Sequence, residues 1–266
     1  GNLEIRLFNF EDESWYKIEM NEDIYSLTFE ENYDWNSDFF RFGYGSFKTP
    51  YCVYDIDFKN HKNTLRKKEE ILGGYESDNY VSERIWAPTH DGKKLAITLL
   101  YKKGIDLKGN NPCFLWGYGS YGATYDPWFS SNIFSLVDRG MVYARAHIRG
   151  SSFMGRKWYL DGKLKQKKNT FEDFISAGQF LENEGITSSE KLAIYGGSAG
   201  GLLIGAVMNM APDLCEVAIP SVPFVDVINT MLDESIPLTV SEFEEWGNPK
   251  EKDYYNYMRT YSPYDN

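Results

Sequence analysis

Over residues 3–58 the chain sets short apolar runs against clusters of Asn, Asp and Glu. The runs 3–10, 15–20, 24–29, 39–42 and 51–58 recur at short intervals, the pattern of strands in an antiparallel meander. They are too few to close a sandwich or barrel, so the segment is expected to be a piece of a larger all-β domain. Residues 72–79, Leu-Gly-Gly-Tyr-Glu-Ser-Asp-Asn, read as a linker. The runs 81–87 and 95–101 flank Asp91-Gly92, a strong hairpin signal. After Pro112 the grammar changes. Strands at 113–118, 141–147, 191–195 and 216–222 alternate with helices at 132–139, 170–184 and 200–210. Phe171, Phe174, Ile175 and Leu181 share one face of the second helix, and Thr170 with Asp173 predicts a capping-box start. Such alternation implies a parallel sheet covered on both faces. The chain therefore divides near residue 80.

Composition sharpens this only a little. With 266 residues, 42% hydrophobic and 25% charged, the chain is an ordinary soluble protein able to bury a proper core. Aromatics at 17% favour β structure and aromatic-lined pockets. A net charge of −11 argues against nucleic acid as a partner and is compatible with cationic substrates. Cys52, Cys113 and Cys215 show no metal-ligand spacing and read as reduced structural thiols of a cytoplasmic protein. No run reaches the length of a membrane span and no signal peptide opens the chain, so no membrane partner is expected.

The chemistry lies in Gly196-Gly197-Ser198-Ala199-Gly200, a Gly-x-Ser-x-Gly between a predicted strand and a predicted helix. A serine nucleophile must project from a sharp turn too crowded for β-carbons at the flanking positions. The helix that follows aims its N-terminus, and the Ala199 N–H, at a developing oxyanion. The bland alternative is a glycine-rich turn packing a helix on a sheet. A base is also needed, and His61, His90 and His147 all precede Ser198, whereas this motif's usual order is Ser, acid, His. His61 and His90 read as exposed, and His147 as structural. Asp226 follows the next strand, where a few hydrolases place the acid.

Longer strings carry a resemblance. The run from His147 through Gly162, His-Ile-Arg-Gly-Ser-Ser-Phe-Met-Gly-Arg-Lys-Trp-Tyr-Leu-Asp-Gly, resembles the strand-and-loop signature of the prolyl oligopeptidases. Gly196 through Leu203 resembles their nucleophile elbow. Val-Pro-Phe-Val-Asp-Val at 222–227, Glu-Phe-Glu-Glu-Trp-Gly-Asn-Pro at 242–249 and Tyr-Ser-Pro-Tyr-Asp-Asn at 261–266 are similar to the oligopeptidase B branch. The resemblance implies an incomplete α/β-hydrolase catalytic domain over 79–266, preceded over 1–78 by the last part of a β-propeller. It implies that the triad Asp and His lie beyond Asn266, and that the chain alone is inactive.

The same resemblance implies roles. Ser198 would be the acyl-accepting nucleophile, with Tyr118 and Ala199 forming the oxyanion hole. Glu242 and Glu244 would select a basic residue before the scissile bond, Phe224 would flank that pocket, and Asp126 would serve the next subsite. Read alone, Glu242, Glu244 and Glu245 have the pattern of a solvated helix face, Tyr118 of core or rim, and Asp126 of a loop. Two departures stand out: Ser151-Ser152-Phe153 replaces a glycine-rich loop followed by Glu, and Trp128 replaces a second acid beside Asp126. The implied activity is a serine endopeptidase cutting short peptides after Arg or Lys, with no metal and no cofactor. The alternatives are a hydrolase of different choice, acting after proline or on esters, and a non-catalytic fragment.

Overall fold

The computed structural model describes residues 3–266. Two compact units form: Gly1–Glu83 with Tyr125–Ser135, and Arg84–Thr124 with Leu136–Asn266. In the first, β1 (Arg6–Phe8) and β2 (Trp15–Lys17) make an antiparallel hairpin. The strands β3 (Ser26–Phe29), β4 (Phe39–Gly45), β5 (Cys52–Asp57) and β6 (Asn63–Lys68) make an antiparallel sheet in sequence order. Ile18, Phe42, Tyr44 and Ile56 bury its core, each worth about 1.5–3 kcal/mol for an apolar side chain fully removed from water. On β5 the buried Asp55 accepts from Arg41 Nε and Arg66 Nε, both at 2.7 Å. β6 escaped the sequence reading because all six of its residues are exposed and no apolar period marks it.

The remaining elements follow in order: β7 (Tyr80–Pro88), β8 (Lys94–Lys102), β9 (Cys113–Trp116), α1 (Ser131–Val137), β10 (Val142–Ala146), α2 (Arg156–Leu160), α3 (Lys168–Asn183), β11 (Leu192–Gly197), α4 (Ala199–Met210), β12 (Val217–Ser221), α5 (Val227–Leu232), α6 (Thr239–Trp246) and α7 (Lys252–Arg259). A six-stranded sheet runs β12-β11-β9-β10-β8-β7. β9, β10, β11 and β12 are parallel, and β8 joins β10 antiparallel. Every residue of β10 is buried, as are Leu95 to Leu100 of β8, so the middle of the sheet is covered on both faces. The expected turn at Asp91-Gly92 forms, with the Thr89 N–H donating to Lys93 O at 2.9 Å.

The start of α3 differs from its expectation. The helix begins at Lys168, so Thr170 and Asp173 lie inside it and cap nothing. Thr170 Oγ1 donates to Arg149 O at 3.0 Å, and Asp173 accepts from the fully buried Arg149 through Nε at 2.8 Å. A buried guanidinium must be paired, and it takes Asp173, while the Arg149 carbonyl takes the Thr170 hydroxyl.

Candidate active site

Ser198 stands between β11 and α4 with φ 56° and ψ −116°, a backbone conformation costing on the order of 1–3 kcal/mol for a residue with a β-carbon. The surroundings hold it there. Its N–H donates to Ser221 O at 2.9 Å, and its carbonyl accepts from Gly201, Leu202 and Phe224 at 2.8–3.2 Å. The crowding expected at the flanking glycines is present: a β-carbon on Gly196 would lie 2.2 Å from Gly200 O. Ser198 is exposed, Ala199 is buried, and the Ala199 N–H is the first amide of α4, without an intrahelical acceptor.

Tyr118 follows β9 and leans on the same turn, its Cδ2 3.3 Å from where a β-carbon on Gly200 would be. From there aromatic contacts lead outward. Tyr118 and Tyr121 have ring centroids 6.4 Å apart, Tyr121 meets Trp246 edge-on at 5.8 Å, and Trp246 meets Phe224 at 5.4 Å. Phe224 closes the circuit, since its N–H donates to Ser198 O at 3.2 Å. Inside this wall sits Glu242 of α6. Its Oε2 accepts from Tyr121 Oη at 2.9 Å and from Trp246 Nε1 at 2.8 Å. Its Oε1 has no intramolecular partner among the described residues. Burial and the neighbouring carboxylate hold the Tyr121 hydroxyl well above the usual tyrosine range, so it stays a donor.

The three glutamates of α6 part company. Glu245 is 4% exposed and accepts from Tyr121 N at 3.0 Å and Tyr159 Oη at 2.7 Å, whereas Glu244 is exposed. The solvated-face reading therefore holds for Glu244 alone. Helical spacing explains the split: positions 242, 245 and 246 stand three and four apart on one face, and 244 points away. That arithmetic was available from the sequence and would have found Glu245 and Trp246. Tyr121, Tyr159 and Lys167 were missed for want of any local pattern.

The structure thus brings Ser198, Ala199, Tyr118, Phe224 and Glu242 together. Asp126 belongs to the other unit, exposed in a turn where Trp128 N donates to Asp126 O at 2.8 Å. Trp128 packs 5.8 Å from the Tyr51 ring, so the residue at the second-acid position is a packing residue. Phe153, in the other departure, stacks on His147 at 3.8 Å with the Arg84 guanidinium 4.9 Å from its centroid.

None of the histidines is arranged as a base. His61 stacks on Tyr16 in the first unit, and His90 is exposed in the β7–β8 turn. His147, buried at the end of β10, has Nε2 2.8 Å from Thr98 Oγ1. Burial, with Arg145 and Arg84 nearby, pushes its pKa well below the usual value. The unfolded chain takes up this proton near pH 6.5 and the folded one does not, so stability falls as pH drops below about 6.5. Denaturation midpoints from pH 7.5 to 5 are expected to show this slope, at most about 1.4 kcal/mol per pH unit. The slope should shrink in His147→Gln; equal slopes would contradict the assignment.

An aromatic hollow of about 940 Å³ lies in the first unit among residues such as Phe8, Phe10, Tyr33 and Trp35, and its lining includes neither Ser198 nor Tyr118, Phe224 or Glu242. No group of three or more His, Cys, Asp and Glu among the described residues could hold a metal ion. No described helix is long and apolar enough to cross a membrane.

Residues 127–266 match the model of the prolyl oligopeptidase family. The chain is 50% identical over 250 residues to dipeptidyl aminopeptidase BI of Pseudoxanthomonas mexicana, covering 94% of this chain and 34% of that protein. It is 42% identical over 252 residues to protease 2 of Moraxella lacunata, covering 94% and 36%. Oligopeptidase B from Leishmania major superposes with a TM-score of 0.90 at 44% identity, over 99% of this chain and 38% of that one. The chain spans about a third of the length of these relatives. The fold is an α/β-hydrolase domain preceded by the end of a β-propeller, as in those structures. On the family match and these identities, the chain belongs to the prolyl oligopeptidase family.

Proposed function

We propose that these residues form the nucleophile side of an oligopeptidase B-like serine endopeptidase that cuts short peptides after Arg or Lys. The observation that carries this is Glu242, pinned through Oε2 by Tyr121 and Trp246 with Oε1 left for a substrate cation. A carboxylate held in an aromatic pocket has no use for a proline or leucine side chain, but it pairs strongly with a guanidinium or ammonium. Phe224 is a wall of this reading and Asp126 its acid for the next subsite; Glu244, turned to solvent on the other side of the same helix, would add only its negative field to the attraction of a basic residue.

Ser198 Oγ attacks the scissile carbonyl and gives its proton to a base, which passes it to the leaving amine. The oxyanion accepts from the Ala199 N–H and the Tyr118 hydroxyl, donors worth about 2.7–4 kcal/mol each by analogy with a measured case. Water then releases the acyl group by the reverse path. Because none of the three histidines is arranged for this, we place the base and its acid outside residues 1–266. We take 1–78 as the end of the propeller and 79–266 as the peptidase domain. The substrates are short basic peptides, and no cofactor, nucleic acid or membrane takes part. Three unpaired cysteines favour a reducing compartment, so we place the protein in the cytoplasm.

One relative's name favours a second reading, a dipeptidyl aminopeptidase that requires a free amino terminus two residues from the cut. Amino-blocked and free dipeptidyl-arginine reporters separate the two. A protein of the relatives' length carrying these residues is expected to turn over both, and the 266-residue chain neither. Turnover of the free form alone would replace the endopeptidase with the aminopeptidase. Activity in the 266-residue chain would overturn the placement of the base.

A further inference from the structure

Lys167, just before α3, is 1% exposed, and the catalytic scheme does not use it. Its Nζ donates to Gly119 O at 2.6 Å and to Ser120 Oγ at 2.8 Å, and lies 5.0 Å from the centre of the Trp246 ring. No carboxylate is bonded to it; Glu245 acts on it only from a distance. Burial pushes its pKa down to about 7. Burying an ammonium costs several kcal/mol, and an apolar side chain of similar size would avoid that cost. Its enclosure is therefore not explained by apolar packing, and its two acceptors bear on what it does.

Gly119 and Ser120 are the residues between Tyr118 and Tyr121. Gly119 has φ +74°, and its carbonyl is hemmed in by backbone: a β-carbon on Gly150 would lie 1.9 Å from Gly119 O. That buried oxygen takes its hydrogen bond from Lys167, and without it would be left unsatisfied at about 1–3 kcal/mol. Gly119 O lies in the Gly119–Ser120 peptide plane, one residue after Tyr118, so rotation of that plane to recover the loss would shift the backbone that carries Tyr118.

We propose that Lys167 is a positioning residue for the reaction, fixing the Tyr118 hydroxyl on the oxyanion by tethering Gly119 O and Ser120 Oγ. This rests on the assignment of Tyr118 as an oxyanion donor. A double-mutant cycle in a protein of the relatives' length, with an arginine reporter, tests it. Tyr118→Phe is expected to lower kcat about 100- to 1,000-fold. Lys167→Met should lower kcat about tenfold or more, with KM changed less, and should add almost nothing in the Tyr118→Phe background. Lys167→Arg, which keeps the donors, should recover part of the loss. If Lys167→Met does not fold, Ser120→Ala, which removes one acceptor, carries the same cycle with a smaller effect. Losses that multiply, or an unchanged kcat in Lys167→Met, would overturn the tether. An unchanged kcat in Tyr118→Phe would overturn the oxyanion assignment instead, and the tether's purpose with it.

Discussion

Replacing Ser198 with Ala in a protein of the relatives' length is expected to lower kcat on an arginine reporter about a millionfold, as removing the nucleophile does in a measured hydrolase. The fold should not notice. Ser198 is exposed, and its side chain makes no hydrogen bond among the described residues. Alanine carries the same β-carbon and so pays the same strain at φ 56°. The melting midpoint should therefore stay within the ordinary range for a surface change, about 0.5 kcal/mol. Residual turnover about a thousandfold or more over water would remain from oxyanion binding and substrate positioning. A loss of less than about tenfold would move the nucleophile elsewhere.

The second large effect is expected from Glu242→Gln. The amide oxygen can still accept from Tyr121 Oη and Trp246 Nε1, so the pocket should keep its shape. What disappears is the charge facing the substrate cation. Removing one member of a buried, hydrogen-bonded charge pair costs about 2–5 kcal/mol, roughly 30-fold to several thousandfold in kcat/KM. The loss should fall on arginine and lysine reporters, while a leucine reporter changes by less than about threefold. Equal losses on all three would assign Glu242 to the frame of the pocket and leave its choice of residue to another group.

These two residues were legible in the sequence for different reasons. Ser198 lies in a motif whose logic is local: strand, crowded turn and helix are contiguous, and the 2.2 Å approach at Gly196 is the crowding that the spacing predicts. Glu242 stood out only through the resemblance, since an acidic run on a short helix has a bland meaning of its own. Its partner Tyr121 is 121 residues away, and no periodic pattern links them. Lys167 was hidden differently. It sits in a run with Lys163, Lys165 and Lys168 that reads as a solvated face, and only tertiary packing shows that one of them is fully enclosed. Long-range packing also assigns Tyr125–Ser135 to the first unit, across a stretch that is continuous in sequence with β9 and β10.

The apolar periodicity of α3 and the paired runs around Asp91-Gly92 gave elements close to those observed, because burial on one face fixes the period directly. The ends of elements were harder to read. The entry to α3 is decided by Arg149, whose charge draws Asp173 and whose carbonyl draws Thr170. A capping pattern cannot anticipate a competing partner from the turn after β10.

One competition experiment tests the central claim most directly. Three amino-blocked peptides, identical except for Arg, Pro or Leu before the scissile bond, are mixed with a protein of the relatives' length, and their products are followed by mass. The account predicts that the arginine peptide is consumed first, by about a hundredfold or more in kcat/KM, the scale of one buried ion pair. Equal or faster loss of the proline or leucine peptide would contradict it.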